Sequence, residues 1–287
     1  YGSRAAHGVI LITTKRAKQE GYSLSYSGYA GFQEPTDLRD MVNAKDHMAL
    51  LNVAYVNAGR TPVFPEDLVN NYDQLSKDDP VNYPDVDWQD RLYTENGFTQ
   101  SHFINLTGGN ENIKIMAGLG YYSQKGLIVN TDFERYSIRV NSDIKLSDRF
   151  SSRVDIFLRQ MQTKEPGLGL EGENRLIYWL NRMPATQPIL YPDGKYGIGW
   201  EGENPYAHAR SGYQRVLTPS AMMNLGFNYK IFEGLTLDFN YAPHFWEDHS
   251  KSFNPVITTY HADGRVAYNK PQIATLSQRN DRNMAHN

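Results

Sequence analysis

A chain of 287 residues with 40% apolar residues and a mean hydropathy of −0.61 can bury one or two cores but must keep much of its surface wet. The formal charge of −3, with no clustering of Lys and Arg that would neutralise phosphates, argues against a nucleic-acid partner, and the absence of Cys excludes disulfides and thiolate metal sites. No apolar run approaches the roughly 20 residues that a helix needs to cross a bilayer, yet 20 Tyr and 12 Phe recur near strand ends, as expected where an apolar band meets water at two edges.

In chain order, residues 1–18 set a small-residue turn and Gly8 ahead of a β-branched strand over 9–14 and a basic cluster. The sequence opens at Tyr1 in what reads as mid-domain, so a fragment is expected and a missing leader carries no information. Residues 22–32 alternate: Tyr22, Leu24, Tyr26, Ala30 and Phe32 share one face, while Ser23, Ser25, Ser27 and Tyr29 share the other. The alternation stops over 34–96. There Asn43 with Asp46 caps a predicted helix that runs to about Ala58, where Gly59 ends it and Pro62 and Pro65 prevent continuation; a second short helix starts near Glu66.

Strands return over about 98–107, 113–123, 135–146, 150–161, 221–231 and 235–241. The last two are the clearest: Met223, Leu225, Phe227, Tyr229 and Ile231 alternate with polar residues or Gly, a turn follows at Phe232, Glu233 and Gly234, and the pattern resumes with Leu235, Leu237, Phe239 and Tyr241. From Ile113 onward the charged residues Lys114, Arg139, Asp143, Lys145, Arg153, Asp155, Arg159, Lys230 and Asp238 fall on the parity opposite the apolar ones, leaving one face uncharged. The connections also alternate in length. Residues 108–112, 147–149 and 232–234 are short turns, 124–134 is intermediate, and 34–96, 162–219 and everything after Pro243 read as long connections. In an up-and-down sheet alternate connections lie at the same end, so one end is trimmed and the other elaborate, the asymmetry of an outer-membrane barrel. A soluble barrel or sandwich would alternate too, with its apolar face inward. It accounts less readily for strands of about 9 to 11 residues, the length of a tilted membrane-crossing strand, combined with one-sided loops.

The run Tyr1-Gly2-Ser3-Arg4-Ala5-Ala6, followed by Gly8-Val9-Ile10 and Thr13-Thr14-Lys15, resembles the signature that ends the plug domain of SusC/RagA-type TonB-dependent outer-membrane transporters. His7 departs from the Asn usual there, and Ala17 stands where Gly is common. Further patches in the same order look like the family: YSGYAGFQ from Tyr26, GFTQ from Gly97 leading to Leu106-Thr107-Gly108-Gly109-Asn110, GLGYYSQKG from Gly118, TDFERYS from Thr131, Arg182-Met183-Pro184, and Tyr191-Pro192-Asp193-Gly194. The resemblance implies an all-β fold, a partial transmembrane up-and-down antiparallel β-barrel with a plug-domain remnant over 1–18. Residues 19–287 would be the N-terminal portion of the barrel, with short helices in long extracellular loops over 34–96 and 162–219. It further implies TonB-dependent import of oligosaccharides or peptides across the outer membrane, no enzyme activity and no cofactor. A SusD-like surface lipoprotein, the TonB complex and outer-membrane lipid are the implied partners. The rivals are a TonB-dependent metal-chelate receptor of the siderophore type and a soluble carbohydrate-binding β-protein.

Within this scheme the loop aromatics Tyr178, Trp179, Tyr191, Tyr196, Trp200 and Tyr206, with a short helix over 174–183, are candidates for substrate or partner contact, because flat rings stack on sugars and peptide side chains. The plainer alternative is that they pack the loop. Arg139, Arg153, Asp155 and Arg159 are candidate lumen residues that hold the plug or line the path, against simple solvation and cross-strand pairing. Catalytic constellations are weak: Asp85 with Asp87, and Glu171 with Glu173, read as solvated loop charge, and His244 with His249 lack a third metal ligand.

Overall fold

The structure, a computed structural model, describes residues 16, 21–93, 96–173 and 175–286. The signature residues Tyr1, Gly2, Ser3, Arg4 and Gly8, and the strand expected over 9–14, lie outside them.

The chain runs through β1 (Gly21–Gly31), α1 (Ala44–Asn57), α2 (Glu66–Asp78), α3 (Trp88–Leu92), β2 (Thr99–Gly109), β3 (Ile113–Lys125), β4 (Asp132–Lys145), β5 (Phe150–Glu165), α4 (Leu176–Leu180), α5 (Pro205–Ala209), β6 (Tyr213–Phe232), β7 (Leu235–Tyr241), β8 (His244–Asn254), β9 (Ile257–Tyr260), β10 (Val266–Lys270) and β11 (Thr275–Ala285). Nine of these strands form one sheet in the order β1-β2-β3-β4-β5-β6-β8-β11, with β7 also on β6, and every pairing is antiparallel. β9 and β10 make a separate ribbon.

Two prolines explain where the sequence misleads. The sequence reads everything after Pro243 as a long connection, but these residues stay in the sheet as β8 and, later, β11. β7 and β8 lie on β6 in a single register, from Leu225↔Tyr241 to Met222↔His244, and the Met223 N–H donates to the Pro243 carbonyl at 3.0 Å. Proline removes one donor, so the ladder skips a rung without ending. Likewise the long connection expected over 162–219 shrinks to 166–212, because β5 continues to Glu165 and β6 already starts at Tyr213. Pro219 faces Gln160 of β5 and stands in a gap of the β8 ladder, between Leu217↔His249 and Ser220↔Trp246.

At one end the turns are short, 110–112, 146–149 and 233–234; at the other lie 32–98, 126–131, 166–212 and 255–274. The long connections fold on themselves. Asn43 caps α1 by accepting from the Asp46 N–H at 2.8 Å, and Gly59 at φ +71° follows its end. α1 and α2 bury Ala44, Met48, Val69 and Tyr72 against Ala185. A second core joins Trp88 and Leu92 of α3 to Ile128, to Leu176 and Leu180 of α4, and to Met183, Ile189 and Ala209. Three long connections therefore share apolar packing over that end of the sheet.

In an antiparallel pair, residues directly opposite share a face. The register puts Leu24, Leu106, Ala117, Val140, Ile156, Met223 and Tyr241 on one face, and Asn105, Arg139, Phe157 and Met222 on the other. On the first face no described side chain covers the aliphatics, with Leu24 at 71% exposure and Leu119 at 53%. Aromatic rings bound this band. Tyr26, His102, Tyr121 and Tyr136 run across neighbouring strands with centroids 5.1–6.2 Å apart on the side of the long loops. Phe150, Phe227 and Phe239 do the same on the side of the short turns, about 6 Å apart.

Candidate functional site

The polar face and the loop assembly above it are the places where chemistry could occur. β4 and β5 carry the charged part of the polar face. Asp143 stands opposite Arg153, and Asp155 stands between Asn141 on β4 and Asn224 on β6. Arg16, from the segment before β1, inserts its guanidinium between the two carboxylates. It donates to Asp143 Oδ1 at 2.9 Å and to both oxygens of Asp155 at 2.7 and 2.6 Å. Arg153 reaches Asp143 at 3.3 Å, and Asn224 donates to Asp155 at 3.3 Å. The two terminal nitrogens of the guanidinium serve different carboxylates, Nη1 on Asp143 and Nη2 on Asp155, and these charge-assisted bonds together fix the orientation of the planar group. The side chains of Arg16 and Asp155 are about one-fifth exposed, so solvent screens the pair only in part.

Of the four lumen candidates, Arg153 and Asp155 thus belong to the network around Arg16. Arg139 and Arg159 do not. Arg139 lies over the Phe157 ring at 4.4 Å, and Arg159 stands opposite Ser137 and Ser220. The sequence marked Arg16 only as part of a basic cluster. The signal that could have singled it out is the pair of carboxylates on one face of adjacent strands, with one local arginine to neutralise them.

The six loop aromatics are not one surface. Trp179 is 6% exposed and part of the loop interior, with Tyr178 edge-on at 5.1 Å and Arg182 stacked 4.2 Å from the Tyr178 ring. The helix expected over 174–183 is the shorter α4, and Asn174 lies outside the described residues. Tyr206 packs against the core of α3 and α4 and carries Arg210 at 3.6 Å. Tyr191 and Tyr196 flank a tight turn closed by the Leu190–Tyr196 bridge, and burial raises the Tyr191 phenol above its ordinary pKa. Only Trp200, 46% exposed, offers solvent a large open face among the six.

Two features that hold the loops were not legible. Asn204, fully buried, donates to the carbonyls of Ile189 and Gly197 at 3.0 and 2.9 Å and caps α5 through the Ala207 N–H. Beside it His208 Nε2 lies 2.6 Å from Glu203 Oε2, and Lys270 of β10 lies 3.6 Å from the other oxygen. Burial pushes the Glu203 carboxyl up, but the hydrogen bond and charge of His208 and the charge of Lys270 outweigh it, so its pKa is held below the ordinary value. This group ties the β9–β10 ribbon to residues 196–212, next to the Gly197–Tyr260 bridge.

The weak constellations have structural duties. Asp85 accepts from the Ala44 N–H, and Asp87 caps α3. His244 and His249 stand on opposite faces of β8, one stacked on Trp246 and the other held by Glu247 and Asn280, so they cannot share an ion. Among the described residues no group of three or more His, Cys, Asp or Glu could hold a metal.

No family model matches the chain. It is 27% identical over 259 residues to TonB-dependent receptor P26 of Formosa agariphila, covering 88% of this chain and 24% of that one. It is 28% identical over 142 residues to TonB-dependent receptor SusC of Bacteroides thetaiotaomicron, covering 49% of this chain and 12% of that one. The chain therefore spans about a quarter of the length of the relative that it matches over most of its own. In fold it is similar to the RagAB peptide importer in its open-open state, with a TM-score of 0.71 at 18% identity over 100% of this chain and 34% of that one.

Proposed function

With the chain similar in sequence to TonB-dependent receptors that include SusC, and in fold to the RagAB importer, we propose that it forms part of the wall of a SusC/RagA-type transmembrane β-barrel that imports oligosaccharides or peptides across the outer membrane. One observation carries this reading. On one face of the sheet the band between two aromatic rows is uncovered and uncharged, and the opposite polar face receives a side chain from the segment before β1. Aliphatics between aromatic girdles are what lipid requires, and a charged face that binds its own chain is what a plugged lumen requires. The spacing agrees: from Phe150 to Gln160, which faces Tyr136, β5 rises about 33 Å at ~3.3 Å per residue, or about 25 Å across the membrane at a tilt of ~40°. A soluble protein would bury those Leu, Ile and Val side chains.

In this reading Arg16 belongs to the end of the plug, and Asp143 and Asp155 are its seat on the wall. The loop assembly lies outside the cell, where a SusD-like lipoprotein would cover it and the exposed face of Trp200 would meet substrate. TonB supplies the work that moves the plug.

Membrane fractionation tests the location: full-length protein should sediment with outer membranes and be released only by detergent. Uptake of labelled oligosaccharides and peptides by a deletion strain and its complement tests the transport. Release of the protein by salt alone, or uptake equal in both strains for every ligand tried, would sink the reading.

A further inference from the structure

We propose that Arg135, Arg139 and Arg159 form a binding site on the polar face for an oxyanion, a carboxylate or sulfate group carried by a passing solute. Arg159 on β5 stands opposite Ser137 of β4, so it is the diagonal neighbour of both Arg135 and Arg139 on that face. The three side chains line one cavity of about 310 Å³ with Ser101, Phe103 and Ser137.

Three like charges this close repel one another unless something neutralises them. Among the described residues nothing does, for none of the three makes an ion pair with any described carboxylate. Other carboxylates on that face have partners elsewhere, Asp143 and Asp155 in Arg16 and Asp281 in Arg279, while Asp248 accepts from the Thr218 hydroxyl and makes no ion pair with any of the three arginines. Glu134 is one residue from Arg135 and so points to the other face. Arg159 Nε is shut off from solvent without a hydrogen-bond partner, a donor whose desolvation is not offset within the described structure.

The guanidiniums are also pre-oriented. Arg139 rests 4.4 Å from the Phe157 ring and Arg135 rests 5.2 Å from the Tyr122 ring, which fixes their planes without consuming their N–H donors. Phe103 fills the space over Gly118 and Gly120, where a Cβ would meet its ring at 2.8 and 3.3 Å, so the strand beside the cavity is kept clear of side chains. The result is a set of free forks around an open volume, the arrangement that recognises planar or tetrahedral oxyanions. The inference rests on the transporter reading for the route by which a solute arrives; the site itself rests on this geometry.

The test is calorimetric titration of the full-length protein in detergent with glucuronate, glucose 6-sulfate and glucose at equal ionic strength. At least one anionic sugar should bind and glucose should not, and the two anionic arms separate carboxylate from sulfate recognition. Arg159→Gln should weaken binding about tenfold, the loss of one charge-assisted bond, and R139Q/R159Q should abolish it. Arg159→Lys keeps the charge but not the fork; it guards against a glutamine variant that fails to assemble and should bind measurably more weakly than wild type. Glucose binding equal to that of the anions, a wild type that binds neither anion because a carboxylate of the same protein already fills the site, or variants that bind like wild type would each overturn the proposal. A protein that binds no anion yet imports solute would remove the site and leave the transporter reading intact; one that binds anions yet needs no detergent for release would do the reverse.

Discussion

Ile138 and Arg139 are consecutive residues that stand back to back through the sheet. Ile138, 45% exposed, faces outward between Leu119 and Leu158, while Arg139 lies on the polar side over Phe157. In the proposed barrel the backbone between them separates lipid from lumen, so each side should tolerate what the other rejects.

Ile138→Arg should therefore destabilise the folded protein in lipid by about 2–4 kcal/mol, whereas Tyr136→Arg, at the aromatic edge of the band, should cost about 0–1 kcal/mol. Urea unfolding of the full-length protein reconstituted in bilayers measures both. Equal costs at the two positions would mean that the uncovered face does not meet hydrocarbon.

Removing Arg16 leaves Asp155 without a cation and Asp143 with Arg153 alone. Arg16→Ala should cost about 1–2 kcal/mol, less than a fully buried pair because both partners are partly solvated. In a double-mutant cycle with Asp155→Asn the coupling should be about 1 kcal/mol or more. A coupling of zero would show that the contact does not hold the segment before β1 to the wall.

Leu180 is fully buried where α3 and α4 meet Ile128 and Met183. Leu180→Ala should cost about 2–5 kcal/mol within the loop assembly. Hydrogen exchange should then accelerate over 86–93 and 176–189 while protection in β3 and β4 is unchanged; a uniform rise across the sheet would contradict separate packing of the loops.

The depressed pKa of Glu203 sets a direction for acid. A carboxyl held below its ordinary value, about 4.3, lends its full stabilisation above that pH and loses it as pH falls through the folded value. The β9–β10 ribbon should thus open more readily as pH falls below about 4.3, and Glu203→Gln should be looser at neutral pH but lose the pH dependence. Hydrogen exchange over 257–270 at neutral pH and at pH about 3.5 reads this; the same change with pH in both proteins would assign the effect elsewhere.

Most of the sheet was legible where one face is apolar and the other wet, because only there does the period of two survive in the sequence. β2, β3, β4, β5 and β7 begin within about three residues of their expected positions, and the Asn43 cap of α1 was readable from its side-chain chemistry. The upper part of β6 and all of β8 and β11 were hidden. Beyond the band both faces are polar, as in Glu247, Asp248, His249 and Ser250, so no alternation marks them. Pro219 and Pro243 also read as breaks, although each occupies a gap in one ladder. Among the candidate contacts, Trp179 is buried, which the sequence does not mark, because an aromatic residue in a polar loop reads the same whether its ring is covered or open.

Pairing in the order of the sequence also bears on assembly. β3 meets β2 across residues 110–112 and β5 meets β4 across 146–149, closures that cost little chain entropy. β1 and β2 are parted by 32–98, and β5 and β6 by 166–212, spans that would be slow to close as free coil. α1 through α5 shorten those spans by packing into common cores, so the strand ends emerge already side by side. The long connections are thus scaffolding for the sheet, and a lesion there should delay its assembly before it weakens any finished hairpin.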